Sequence, residues 1–197
     1  GVTAGRADTQ DLFLEQPHPE EPVSFRFNDQ WEVSAVLQEE IAVFGRQSVL
    51  EANDIRIPTM DEPWTLDEFN AALETLVAMD EFDTAIDMFT AYTGEWWPYA
   101  FSPILQSFGG DLIDRSTYLS AEGVLNGPEA VAAMDWFQSL FENGYVNIAP
   151  PADDAFYGDK SAALAYVGHW QWGPHSEGLG DDLVLLPMPK FGDKAVT

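Results

Sequence analysis

The sequence lacks cysteine and has few basic residues. Its 197 residues include 8 Lys and Arg against 34 Asp and Glu, a formal net charge of −26. Without cysteine there are no disulfides, cysteine nucleophiles or thiolate metal sites. From Ile57 to Asp159 the only Lys or Arg is Arg115, and nucleic acids and anionic membranes are bound through such residues. The composition therefore argues against both partners, and it leaves neutral and cationic ligands as the favoured classes.

Long hydrophobic runs are also missing. No apolar stretch reaches the roughly 18 residues that cross a bilayer, and Gly1 to Gln10 lacks the pattern of a signal peptide. We therefore expect a protein that is either intracellular or exported with its signal removed. Hydrophobic residues make up 46% of the chain and aromatic residues 13%, which is enough for one globular domain with a substantial core.

Recognisable catalytic motifs are absent as well. The sequence has no phosphate-binding GxGxxG or GxxxxGK[ST] loop and no GxSxG nucleophile elbow. Its three histidines, His18, His169 and His175, are too scattered for a zinc site. Asp153 and Asp154 lack the spacing of an EF-hand loop, so calcium is only weakly supported. Acidic pairs are too numerous to single out a catalytic one. The sequence thus predicts no enzyme activity, no cofactor and no metal.

The order of elements predicts a single α/β domain. Residues 1–32 form a loop-rich segment in this interpretation, because three prolines fall between Pro17 and Pro22. The lobe covers residues 33–197 and starts with a strand over 33–44. Further strands are expected at 85–89, 161–167 and 182–187, short helices at 48–53 and 153–157, a helix at 98–108, and a loop or weak hairpin at 111–124.

Two helices have clear start signals. Thr65 and Glu68 have the spacing of a capping box, in which each side chain binds the backbone amide of the other. The second helix follows Asn126, has Pro128 in its first turn and ends at Gly144. Its predicted apolar stripe consists of Val131, Met134, Phe137, Leu140 and Phe141.

Two short aromatic stretches hold four of the seven tryptophans. One contains Trp96, Trp97 and Tyr99, and the other contains His169, Trp170 and Trp172. Tryptophans at loops and helix starts can present flat apolar faces to a ligand, and such a face fits the C–H side of a sugar ring. An equally weighted alternative is that the two stretches only pack against each other.

Six segments in a fixed order resemble one known family. From about Val33 to Lys194 the chain is similar to the extracellular solute-binding proteins of ABC sugar importers, of the maltose-binding-protein type. The similar segments are FGRQSVLEANDI at 44–55, PWTLDEF at 63–69, an aromatic stretch ending in a double glycine at 96–110, NGPEAVAAMDWFQSLFENG at 126–144, DAFYGDKSAALAYVGHW at 154–170 and LPMPKFG at 186–192.

The resemblance departs from the family pattern in three places. The family's Tyr-Asn pair before the first helix is Gly45-Arg46 here, and residues 1–30 match nothing specific. The sequences of the family's opening lobe, and those that follow its last motif, are not found in this chain. The resemblance therefore implies one lobe of a two-lobed, periplasmic-binding-protein-like α/β fold, cut from a longer parent.

The resemblance implies a role in sugar import. Such proteins bind a sugar between two lobes, close around it and dock on the ABC permease in the membrane. It further implies a monomer in the periplasm or outside the cell, with a lipoprotein anchor supplied by a segment outside this chain. Polyols and glycerol phosphates are also carried in the family, although the low Lys and Arg count argues against a phosphorylated ligand.

The resemblance also assigns site residues. Trp170 falls where the family stacks an aromatic ring on the sugar, and Tyr99 falls on a second aromatic position. Glu39 falls near a carboxylate that accepts sugar hydroxyl protons. The remaining candidates are two hydrogen-bond donors and three aromatic neighbours, namely His169, Gln171, Trp97, Trp96 and Trp172.

Two other functions fit the same residues. The first alternative is a carbohydrate-active hydrolase with aromatic subsites, which needs two working carboxylates. The second is an interaction domain without a small ligand, in which the aromatic stretches pack together and leave no exposed face.

Overall fold

A computed structural model describes residues 24–27, 31–34, 41–150, 152–193 and 195–196. The chain divides into two compact units, residues 1–38 and 39–197. In the first unit, strand β1 (Ser24–Phe27) pairs antiparallel with strand β2 (Trp31–Ser34). Strand β1 and the start of β2 lie within the segment 1–32 that the sequence predicts to be loop-rich. The polar–apolar alternation from Ser24 to Phe27 is typical of a strand.

The second unit is built on a four-stranded mixed sheet. Its strands are β3 (Ile41–Arg46), β4 (Thr84–Asp87), β5 (Ala162–Gly168) and β6 (Leu183–Leu186), in the spatial order β4-β5-β3-β6. Strand β4 runs parallel to β5, whereas β3 is antiparallel to both of its neighbours. Every residue of β3 and β5 is buried, as expected for strands covered on both faces. The α/β class is confirmed, but the strand predicted over 33–44 is split between β2 and β3.

The helices largely follow their sequence signals. The described part of the chain contains α1 (Gln47–Ala52), α2 (Leu66–Val77), α3 (Trp96–Ser107), α4 (Pro128–Glu142) and α5 (Trp172–Leu179). The capping box of α2 is confirmed, because the Glu68 amide donates to Thr65 Oγ1 at 3.2 Å and the Thr65 amide donates to Glu68 Oε2 at 2.9 Å. No helix in the described ranges is long and apolar enough to span a bilayer.

The buried face of α4 differs from the predicted stripe. Val131 and Met134 are half exposed, whereas Ala130 and Ala133 are buried beside Leu105 of α3. The prediction gave weight to the large apolar side chains. The helix instead turns its small alanines inward, and small side chains allow the two helices to approach closely.

The region after residue 150 departs from the sequence analysis in two places. The short helix predicted at 153–157 is wrong, because residues 155–158 form a turn in which the Gly158 amide donates to the Asp154 carbonyl at 2.7 Å. Helix α5 begins in the second aromatic stretch and continues into residues 174–179, for which the sequence predicts no element. Pro174 lies in the first turn of α5, where proline is well tolerated.

The segment after β6 completes the aromatic core. The Phe191 ring lies 4.6 Å from that of Trp136 and 6.0 Å from that of Phe69, and it stacks on Phe108 at 5.5 Å. Its amide donates to Ser107 Oγ at 3.0 Å. One loop residue therefore joins helices α2, α3 and α4.

Candidate functional site

The candidate site lies where two parallel strands end. Strand β4 ends at Asp87 and β5 ends at Gly168, and parallel neighbours place these carboxyl ends at one edge of the sheet. Helix α3 follows β4 after a short loop, and a single 3-10 turn, His169–Gln171, follows β5. Ligand sites of open α/β sheets form at such edges, because the connecting loops diverge there.

An aromatic cluster occupies this edge. It comprises Tyr92, Trp96, Tyr99 and Trp170. The Trp96 ring lies 5.4 Å from that of Tyr92 and 6.1 Å from that of Trp170, and Tyr99 lies 6.1 Å from Trp170. Trp96 is only 7% exposed and donates from Nε1 to the Met88 carbonyl at 3.3 Å, whereas Trp170 is 45% exposed. The buried Trp96 and two partly buried tyrosines thus surround one indole that faces solvent.

The structure therefore brings the two aromatic stretches of the sequence together. Ring contacts join Trp96 and Tyr99 of the first stretch to Trp170 of the second. This agrees with the packing that the interaction-domain alternative predicts. That alternative also requires that no aromatic face stays open, and the half-exposed indole of Trp170 does not meet that requirement.

Gly168 is needed to place the Trp170 ring. A Cβ atom at this position would lie 1.9 Å from Cζ3 of the indole, which folds back over the glycine. The backbone of Gly168 has φ −77° and ψ 163°, a conformation open to any residue. Glycine is therefore required here for space and not for its conformational freedom.

We expect Gly168→Ala to displace the indole of Trp170 while keeping the fold. The near-UV circular dichroism that arises from the Trp96–Trp170 pair should fall to the level of a Trp170→Ala variant. The free energy of unfolding should change by no more than about 1 kcal/mol, because the displaced ring is half exposed. Gly173→Ala, with nothing within 4 Å of its Cβ, is the control. An unchanged spectrum for Gly168→Ala would contradict the placement of the ring.

Gln171 and Tyr92 form the polar support of the site. Gln171 is buried and donates from Nε2 to the Tyr92 hydroxyl at 3.1 Å. Burial raises the pKa of that hydroxyl, so it stays protonated and can itself donate. Sequence analysis missed Tyr92, although it lies four residues before Trp96 in the same aromatic stretch. In this structure the Gln171 amide nitrogen holds the 3-10 turn that carries Trp170.

The other candidates lie around the aromatic cluster. His169 is exposed, with its ring 5.9 Å from that of Trp170. Trp172 is 50% exposed and lies 6.4 Å from Phe44. Trp97 points towards α4 instead, where its ring meets that of Phe137 at 5.8 Å. The candidate Glu39 lies outside the described residues.

Backbone strain occurs next to the cluster. Phe89 is fully buried and has φ 53°, a region that bulky side chains rarely adopt. The Phe89 amide donates a hydrogen bond to Asp87 Oδ1 at 2.8 Å, and the Phe89 ring lies 5.2 Å from that of Tyr92. Such a conformation costs of order 1–3 kcal/mol and tends to occur at functional sites.

Comparison with known proteins gives matches of structure only. The sequence matches no protein-family model, and the comparison with curated proteins gives no match. The GacH receptor of Streptomyces glaucescens, solved unliganded and with acarbose, matches with TM-score 0.63 and 18% identity over 80% of this chain and 39% of its own. The cyclic alpha-maltosyl-1,6-maltose binding protein of Arthrobacter globiformis matches with TM-score 0.62 and 18% identity, over 80% of this chain and 38% of its own. UgpB of Mycobacterium tuberculosis, solved in complex with glycerophosphocholine, matches with TM-score 0.61 and 16% identity, over 78% of this chain and 36% of its own.

These matches confirm the fold that the sequence motifs implied. The chain has part of the fold of two-lobed solute-binding proteins of the maltose-binding type. It spans less than two fifths of the length of these neighbours. At 16–18% identity the likeness shows the fold alone.

Proposed function

We propose that this chain is the sugar-contacting part of an ABC-type solute-binding protein, with Trp170 and Tyr99 as the stacking residues. The observation that carries the proposal is the half-exposed Trp170 indole, held against Trp96 and Tyr99 at the carboxyl edge of β4 and β5. A site of this kind binds without breaking a bond, so it needs no nucleophile and no catalytic carboxylate pair.

The energetics support a carbohydrate. A tryptophan side chain offers up to about 250 Å², so a 45% exposed indole leaves roughly 100 Å² for a sugar face. At about 25 cal/mol per Å², covering that area contributes about 2–3 kcal/mol. Hydroxyls around the sugar rim need partners, because an unpaired buried group costs about 1–3 kcal/mol. Candidate hydrogen-bond partners from this chain are the Tyr92 hydroxyl, His169 and Trp172.

The charge of the chain supports a neutral ligand. The net charge of −26 disfavours anions, so a mono- or oligosaccharide fits better than a phosphorylated solute. One neighbour was solved with acarbose, a second is named for binding cyclic alpha-maltosyl-1,6-maltose, and a third was solved with glycerophosphocholine. In the proposed function a second lobe supplies the opposite wall of the cleft. The loaded protein, a monomer outside the cytoplasmic membrane with a lipid anchor, then delivers the sugar to a permease.

We expect maltose and maltotriose to change the tryptophan fluorescence of this chain saturably, with weak affinity because one wall of the cleft is missing. Trp170→Ala should weaken binding at least tenfold, as loss of about 2–3 kcal/mol of stacking implies. The matched control is Tyr118→Ala, which removes an aromatic side chain that is 63% exposed in the loop before α4. Titration by fluorescence, confirmed by calorimetry, measures both effects.

Two outcomes would contradict the proposal. If no sugar produces a saturable change, or if Trp170→Ala and Tyr118→Ala respond equally, Trp170 has only a packing role.

Glycerophosphocholine should bind more weakly than maltose, because few basic residues are available to hold its phosphate. Release of reducing ends from maltotriose would indicate the hydrolase alternative instead.

A further inference from the structure

The peptide group between Met88 and Phe89 is held by a hydrogen bond at each end. Its N–H donates to Asp87 Oδ1 at 2.8 Å, and its carbonyl accepts from Trp96 Nε1 at 3.3 Å. Asp87 is the last residue of β4, and Trp96 is the buried indole whose ring lies 6.1 Å from that of Trp170. One peptide group therefore connects the end of the sheet to the aromatic cluster.

This peptide group has a less strained orientation open to it. Phe89 has φ 53°, in the left-handed region that bulky side chains rarely adopt. Rotating the peptide group by about half a turn would make φ of Phe89 negative, which is the change that separates a type II from a type I turn. The carbonyl would then point away from the Trp96 indole, and the N–H would point away from Asp87. The two hydrogen bonds together therefore stabilise the strained orientation.

Asp87 acts on this peptide group as a hydrogen-bond acceptor. An aspartate side chain readily accepts from the amide two residues along the chain, which here is that of Phe89. Asp87 is only 6% exposed, and its Oδ2 atom has no hydrogen-bond partner among the described residues. Burial raises the pKa of Asp87 to about 6, because the charged form loses its hydration. A neutral oxygen acceptor of the same shape should therefore serve equally well.

We propose that Asp87 is a positioning residue of the aromatic cluster, whose Oδ1 atom holds the Met88–Phe89 peptide group in the orientation that fixes Trp96 against Trp170. Asp87 itself touches no ligand and acts through the Trp96 indole. A displaced Trp96 changes how the exposed indole of Trp170 is held, and binding sites lose affinity when the groups behind a contact residue are loose. The effect on sugar binding rests on the proposed function, whereas the effect on the tryptophan rings does not.

Two substitutions of similar size separate the acceptor from the volume of the side chain. Asp87→Asn keeps an oxygen acceptor, whereas Asp87→Leu has none. In Asp87→Asn we expect the parent's near-UV circular dichroism from the Trp96–Trp170 pair, and the same protection of the Phe89 amide against hydrogen exchange. Asp87→Leu should lose both. Maltose affinity should fall about tenfold or more in Asp87→Leu and stay within about twofold of the parent in Asp87→Asn.

Ile86→Ala controls for a general loss of stability. Ile86 is a buried neighbour on β4, and its truncation weakens the core while leaving the Asp87 acceptor in place. This variant should keep the dichroism and the maltose affinity of the parent. Equal losses in Ile86→Ala and Asp87→Leu, a full signal in Asp87→Leu, or a lost signal in Asp87→Asn would overturn the proposal. If the parent binds no maltose, the proposed function fails, and the dichroism and exchange measurements still decide the role of Asp87.

A measurement on the parent decides the question if Asp87→Leu does not fold. Because both hydrogen bonds belong to one peptide group, the Phe89 amide and the Trp96 indole N–H should become open to exchange together. Their protection factors, measured by NMR, should agree within about threefold. A larger difference would show that the two bonds break independently, and it would overturn the proposal.

Discussion

Phe191→Ala should lower the free energy of unfolding by about 3–5 kcal/mol, the range for truncating a buried aromatic side chain. The reason is the position of Phe191, which contacts aromatic rings from α2, α3 and α4 at once. A cavity there removes contacts from three helices, and the loop that carries the residue cannot refill it. Urea denaturation followed by tryptophan fluorescence measures the change as a lower midpoint with an unchanged slope.

A matched control separates this role from the general loss of a phenylalanine. Phe141 of α4 is half buried and contacts Phe137 at 5.2 Å. Phe141→Ala should cost less than half as much, because its ring already touches solvent. Equal losses for the two variants would mean that Phe191 does not join the helices as described.

Acidification should destabilise the protein through His175. This side chain is fully buried among Phe44, Phe89, Phe156 and Tyr157, and neither ring nitrogen has a hydrogen-bond partner within the described residues. Burial lowers its pKa from 6.5 to about 4, and no neighbouring charge contributes to that shift.

The sign of the effect follows from proton binding. Above pH 6.5 the imidazole is neutral in both states and has no effect on the pH dependence of stability. Between pH 6.5 and about 4 only the unfolded chain takes up the proton, so stability falls by about 1.4 kcal/mol per pH unit. The total loss is about 3 kcal/mol, and it is complete below pH 4.

His175→Leu should remove this part of the pH dependence. Because leucine has no polar atoms to leave unpaired, the variant should be at least as stable as the parent at pH 7. His169→Gln, which changes an exposed imidazole, should keep the slope of the parent. Denaturation at several pH values between 4 and 7 gives the two curves. Parallel curves for His175→Leu and the parent would show that His175 does not bind protons differently on folding.

Local signals in the sequence predicted most of the elements of the second unit. The capping box at Thr65 and Glu68 and the start at Pro128 depend on neighbouring residues, so both helices could be placed from sequence. The buried face of α4 could not be predicted in the same way. Whether Ala133 or Met134 is buried depends on how closely α3 approaches α4. That distance is set by residues some 30 positions earlier in the chain.

The candidate site was predictable in type but not in detail. The family resemblance assigned Trp170 and Tyr99 to the same sugar site, and the structure brings their rings together. The bond between Gln171 and Tyr92 joins residues 79 positions apart, and no local pattern encodes it.

The pairing of β3 has a consequence for how the chain is made. Ile41 to Arg46 is the first strand of its sheet to leave the ribosome, yet both of its partners, β5 and β6, begin more than a hundred residues later. Until β5 and β6 are synthesised, both edges of this apolar strand have no partner strand. Such unpaired edges favour slow folding and off-pathway association. Expression yield should therefore depend on chaperone supply and on the speed of translation through the last quarter of the chain.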